Sequence, residues 1–301
     1  MGLSLDVQFT ALPIDLPTTP ASRGAAAESP PTHFAVRAGA PLHVAWRTLY
    51  PGDLPHKFLR KKRSKTVVLS SFVKTGADAA KAPRVVSAIF EDLADKDDQT
   101  PGARGAGSHI LHYDSSVGSD TVVELELVSK SSGGKDLGVL KGALEAAGST
   151  PLLFFASGWI NGASGVVKLA GGIMKALSKD KELFSSPITI PCSGSAARVD
   201  TPVRLLAARD PLGLLEDRTI ENTPIAAGGY PRLKNGSGTW YEGDEPYVIF
   251  DVDQEERADL EGFAAERKAG ALLADWTPRE GVDVGEVLGV VGRYITSEVI
   301  V

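Results

Sequence analysis

The sequence predicts an α+β protein with a β-sandwich-like core, a helical insertion at residues 136–179 and helices toward the C-terminus. Three observations carry that expectation. Several short segments alternate apolar and polar residues with the period of a strand. Residues 136–179 instead repeat their apolar residues every three and four positions, the period of a helix face. Finally, 43% of the 301 residues are apolar and 23% are charged, the balance of a folded chain. At this length one core is near its limit of growth, so residues 1–301 read as a single elaborated domain.

In chain order, Leu5, Val7 and Phe9 share one face of a first strand, which Pro13, Pro17 and Pro20 end. Residues 18–32 are small or proline, bury too little to offset the cost of ordering, and read as a flexible linker or loop. His33 to Arg37 and Pro41 to Leu49 read as a first hairpin around Ala38-Gly39-Ala40. Thr66 to Lys74 is a strand, and Pro83 to Leu93 leans the same way. Residues 92–107 read as a polar, glycine-rich loop. Ser108 to Tyr113 and Asp120 to Ser129 form a second expected hairpin, with Val123, Leu125 and Leu127 opposite Glu124 and Glu126.

Asp136 to Ala147 reads as a helix with Leu137, Leu140 and Leu144 on one side and Gly148 as its C-cap. The stretch after it organises the expected insertion. Ile160, Ala163, Val167, Ala170, Met174 and Leu177 align on one face of a helix of roughly 18 residues, although Pro151 to Ala156 also fits a buried strand. Phe184 to Pro191 is a strand whose two prolines mark an edge or an interruption. Val199 to Ala208 is a further strand. Residues 211–240 read as loop, in which Tyr230, Trp240 and Tyr241 anchor the chain or line a binding surface. Tyr247, Ile249 and Asp251 oppose Val248, Phe250 and Val252 on a strong strand. Helical periods follow at 255–274 and 284–295.

Charge gives the candidate contact residues. Lys57, Arg60, Lys61, Lys62, Arg63 and Lys65 place six basic residues within nine positions. Such a run reads as a solvated or salt-bridged surface loop, or as a contact for phosphates, anionic lipid or an acidic neighbouring protein. It lacks the interleaved aromatics of a nucleic-acid surface, and the chain's net charge of -6 gives no general attraction to nucleic acid. Residues 240–301 hold 15 acidic and five basic residues, whereas residues 1–64 hold four acidic and eight basic, so opposite fields invite contact within one chain or between copies.

Catalytic and metal motifs are incomplete. Cys192 is the lone cysteine, which excludes an internal disulfide and a cysteine-based zinc site. Cys192-Ser193-Gly194-Ser195 is neither a nucleophile elbow nor a phosphate loop. His112, Asp114 and Ser115 or Ser116 are the residues from which a hydrolase would be assembled. Asp251, Asp253, Glu255 and Glu256 could supply oxygen ligands to a cation, but acidic residues also cap helix N-termini. No cofactor is implied. With no basic leader or sustained apolar segment at the N-terminus, the expected compartment is the cytoplasm. The expected function is noncatalytic: a structural or adaptor protein acting through contacts with itself or another protein. A hydrolase with a Ser/His/Asp cleft is the alternative. A peripheral membrane module, with the basic run and the lysines of the central helix on one surface, comes third.

Overall fold

A computed structural model of the chain describes residues 34–55, 65–75, 84–102, 105–130, 135–147, 152–155, 158–161, 165–167, 181–224 and 229–264. These residues form mostly antiparallel β-sheets with few helices. The strands are β1 (Val36–Arg37), β2 (Leu42–Tyr50), β3 (Lys65–Thr75), β4 (Arg84–Leu93), β5 (Gly105–Gly107), β6 (Ile110–Asp114), β7 (Thr121–Lys130) and β8 (Leu152–Phe155). They continue as β9 (Gly158–Asn161), β10 (Gly165–Val167), β11 (Lys181–Ile190), β12 (Cys192–Ser193), β13 (Val203–Ala208), β14 (Arg218–Asn222), β15 (Pro231–Asn235) and β16 (Tyr247–Asp253). The helices are α1 (Lys135–Ala147) and the short α2 (Pro211–Leu215), and a 3-10 turn at Ala258–Leu260 runs into a helical segment at 261–264.

The larger sheet has eight strands in the order β10-β9-β8-β4-β3-β7-β11, with β5 also paired to β4. A second sheet has the order β13-β16-β2-β6. Strand alternation decides what each sheet buries. Val123, Leu125 and Leu127 of β7 join Val67 and Leu69 of β3 and Phe184 and Ile188 of β11 in one apolar cluster. The same cluster takes Leu42, Val44 and Trp46 from β2 and Val248, Phe250 and Val252 from β16. The two sheets therefore share a core. Trp46 meets Phe90 of β4 edge-on across it, with ring centroids 5.7 Å apart, and donates its indole N–H to the Ser108 carbonyl at 2.9 Å.

Several local expectations hold. Leu137, Leu140 and Leu144 are buried along α1, whose contacts are to β4, β5 and β8. β11 is an end strand of its sheet and carries Pro187, which has no N–H to give to a ladder. Others are corrected. The two expected hairpins do not form: β1 pairs in parallel with β12, β2 lies between β16 and β6, and β7 lies between β3 and β11. Residues 115–120 thus carry the chain from one sheet to the other. The insertion is only partly helical. After α1, residues 152–167 form the β8-β9-β10 meander, with Val166 opposite Ile160 and Leu153 opposite Ile160 from the other side. Gly158, Gly162 and Gly165 weaken a helix there, and pairing with β4 offers the alternative. Residues 168–180 and the expected helices beyond 264 lie outside the described residues, as do residues 1–33.

Candidate functional site

The outer face of the four-stranded sheet changes character along its length. At one end His43 of β2 and Asp253 of β16 stand in register, and His43 Nδ1 lies 3.2 Å from both carboxylate oxygens. Burial pushes the Asp253 carboxyl up, but the hydrogen bonds from His43 and from the Glu255 N–H outweigh it and leave it below the usual range. In the middle Asp251 takes Arg47 Nε at 2.7 Å and Arg204 Nε at 3.2 Å. The acidic stretch expected to cap or to hold a cation is therefore spent on arginine, histidine and a turn. Among the described residues no group of three or more His, Cys, Asp or Glu side chains is placed to hold a metal ion.

At the other end the face becomes aromatic. Tyr50 stacks on Tyr247 with centroids 4.9 Å apart, and Tyr241 meets both rings. Burial pushes the pKa of Tyr50 and Tyr247 far above that of a free phenol, so both remain protonated hydrogen-bonding groups. Onto this platform folds a hairpin. Ile220 of β14 faces Leu233 of β15, and both enter a cluster with Leu206, Leu214, Tyr241 and Ile249.

Polar ties fix the hairpin in place. Thr48 Oγ1 donates to the Pro231 carbonyl at 2.6 Å, and the Tyr50 hydroxyl donates to the Gly243 carbonyl at 2.7 Å. Arg232 Nε stands 2.8 Å from Asp98 Oδ2. That N–H is not aligned on the oxygen, and Asp98 Oδ1 has no hydrogen-bond partner, so the contact is a charge pair rather than a bidentate bond. Burial of Asp98 consequently prevails over the attraction of Arg232, and its carboxyl is raised to about 6.

Beyond β15 the chain turns back through Gly238, whose φ of +86° suits glycine, and bridges Lys234 to Trp240. The result is an open pocket of about 690 Å³ walled by Arg218, Asn235, Thr239, Trp240, Tyr241 and Glu242. Arg218 lies over the Tyr241 ring at 5.0 Å, and Arg232 and Lys234 each lie 5.7 Å from the centre of the Trp240 ring. Such a wall can hold a ligand by aromatic contact and by hydrogen bonds from a fixed guanidinium.

The residues singled out in the sequence fare unevenly. Trp240 and Tyr241 do line a surface recess. Of the basic run, Lys57, Arg60, Lys61, Lys62 and Arg63 lie outside the described residues, and Lys65 opens β3 opposite Leu93. His112 is fully buried opposite Val44, and the Asp114 carboxylate accepts the Ser116 N–H in a turn, while Ser115 and Ser116 are exposed. The pocket is built from other residues. The loop reading of residues 211–240 gives Arg218 no role, yet Arg-Thr-Ile-Glu-Asn and Pro-Arg-Leu-Lys-Asn each place a single apolar residue at the centre of a polar arm. No helix among the described residues is long and apolar enough to cross a membrane. No protein-family model matches the chain, and neither a curated protein nor a solved structure matches it.

Proposed function

We propose that the protein is a noncatalytic adaptor that grips a partner protein at the Trp240 pocket. The observation that carries this reading is the makeup of the pocket wall: tryptophan, tyrosine and arginine, the side chains that dominate binding energy at protein interfaces, held on a hairpin pinned to a buried tyrosine platform. A wall fixed in advance loses little freedom on binding. The shared apolar cluster supports reading the two large sheets as a sandwich-like core of one elaborated domain that serves as a rigid mount. A cytoplasmic setting accords with the lone cysteine. Self-assembly through the oppositely charged ends is a second form of the same role, favoured by the excess of 15 acidic over five basic residues in 240–301.

The test is a photo-crosslinking side chain placed at Thr239, an exposed wall residue, in the full chain expressed in its native cells, with Thr189 on β11 as the control position. A partner joined from Thr239 and not from Thr189 is then purified and titrated against wild type and Trp240→Ala. Loss of its binding in the variant supports the adaptor reading. Equal crosslinking from both positions, or binding indifferent to Trp240, refutes it.

A further inference from the structure

We infer that the pocket takes a carboxylate, an aspartate or glutamate side chain of the partner protein, set against Arg218 with an apolar neighbour against Trp240. This rests on the adaptor reading and names the chemistry of the partner. Three cations surround the two aromatic rings of the pocket, and two of them are neutralised within the fold: Arg232 by Asp98 at 2.8 Å and Lys234 by Glu221 at 2.7 Å. Arg218 is different. Its Nε donates to Asn235 Oδ1 at 3.0 Å and its Nη1 to the Leu214 carbonyl at 3.1 Å, and both acceptors are uncharged. Among the described residues Arg218 makes no ion pair.

Among the described residues the guanidinium is therefore oriented from two sides and stacked on Tyr241, without an ion-pair partner and with further N–H donors on its two Nη atoms. A planar carboxylate matches that fork, and an arginine already held in place loses little entropy in receiving it. Trp240, half-buried beside it, offers apolar area to the residue flanking the acid. Glu242 also lines the pocket and is exposed, so its carboxylate opposes the incoming one and limits affinity.

The experiment displays random heptapeptides against immobilised full-length protein and compares the sequences recovered on wild type, Arg218→Gln, Trp240→Ala and Glu242→Gln, each checked for folding by its thermal melt. The expected result is enrichment of Asp or Glu next to an apolar residue on wild type. That enrichment is lost on Arg218→Gln and Trp240→Ala. On Glu242→Gln the same peptides bind roughly two- to fivefold tighter, as removal of a like charge at an exposed rim requires. Because Glu242→Gln changes an exposed residue and acts in the opposite direction, an unfolded Arg218 variant does not decide the outcome. Peptides without acid that still depend on Trp240 would overturn the carboxylate inference and keep the adaptor reading. Recovery independent of both Trp240 and Arg218, or no enrichment, would overturn both. A parallel titration with inorganic phosphate followed by NMR separates a small-anion site: phosphate shifts confined to residues 218 and 235–243, with no peptide enriched, would overturn the docking of a protein side chain.

Discussion

Replacing Asp98 by Asn isolates the electrostatic cost of the tie that fastens the hairpin. In the folded chain the Asp98 carboxyl titrates at about 6 against an ordinary value of 3.8, because burial outweighs Arg232, with Asp97 adding to the rise and Tyr230 opposing it. Between those two values the folded state keeps the proton that the unfolded state has lost. Stability must then fall as pH rises through the window, and the full cost is present above pH 6. At about 1.4 kcal/mol per pH unit the window is worth about 3 kcal/mol. Urea unfolding of wild type and Asp98→Asn from pH 3.5 to 7.5 measures it as the difference between the two proteins. Carboxylates held low by their partners, such as Glu124 beside Lys74, contribute the opposite slope to both and cancel. The stability of wild type minus that of the variant should drop by about 2.5 kcal/mol between pH 4 and pH 7, the remainder of the window lying below pH 4. A flat difference would refute the burial of Asp98. A rise would mean that attraction to Arg232 prevails over desolvation.

Other perturbations test the frame. Leu125→Ala, at a fully buried position of β7, should cost about 2–5 kcal/mol in chemical denaturation, and a loss below about 1 would deny that the strand lies at the centre of the shared core. Glu126→Ala removes the partner of Arg84, whose side chain is 5% exposed, and should cost about 3–5 kcal/mol. Arg84→Met combined with Glu126→Leu should regain most of that loss, since burial strains both charges; equal instability of the single and double variants would contradict it. Gly107 has φ +125°, and an added Cβ would overlap the Ser87 carbonyl oxygen, so Gly107→Ala should lower stability by about 2 kcal/mol or more. An unchanged melting temperature would show that β5 does not pair with β4 at that point.

Strand faces were more legible in the sequence than strand partners, for a physical reason. Alternation within Thr121–Lys130 depends on local chemistry, and the structure buries the face the pattern marks, whereas Tyr247–Asp253 is buried on both faces, Val248, Phe250 and Val252 in the shared core and Tyr247 and Ile249 under the hairpin. Pairing depends on which distant face is free, so adjacency misled at β6 and β7, whose partners are β2 and β3. The β8-β9-β10 meander shows the same limit from another side. A run with apolar residues at helical spacing also alternates over a few residues, and pairing with β4 settles the choice in favour of strands. At the pocket Trp240 and Tyr241 stood out as large rings in a turn-rich stretch. Arg218 did not, because an arginine acquires meaning only from the Asn235, Leu214 and Tyr241 groups that the hairpin brings around it.

The most direct measurement is a calorimetric titration of the partner crosslinked from Thr239, in purified form, against the full wild-type chain and Trp240→Ala. A fixed aromatic anchor in an interface is worth about 2 kcal/mol or more, so the Kd should rise at least about 30-fold while the melting temperature of the variant stays near that of wild type. A Kd within about twofold of wild type, measured on a folded variant, would contradict the claim that this pocket grips the partner.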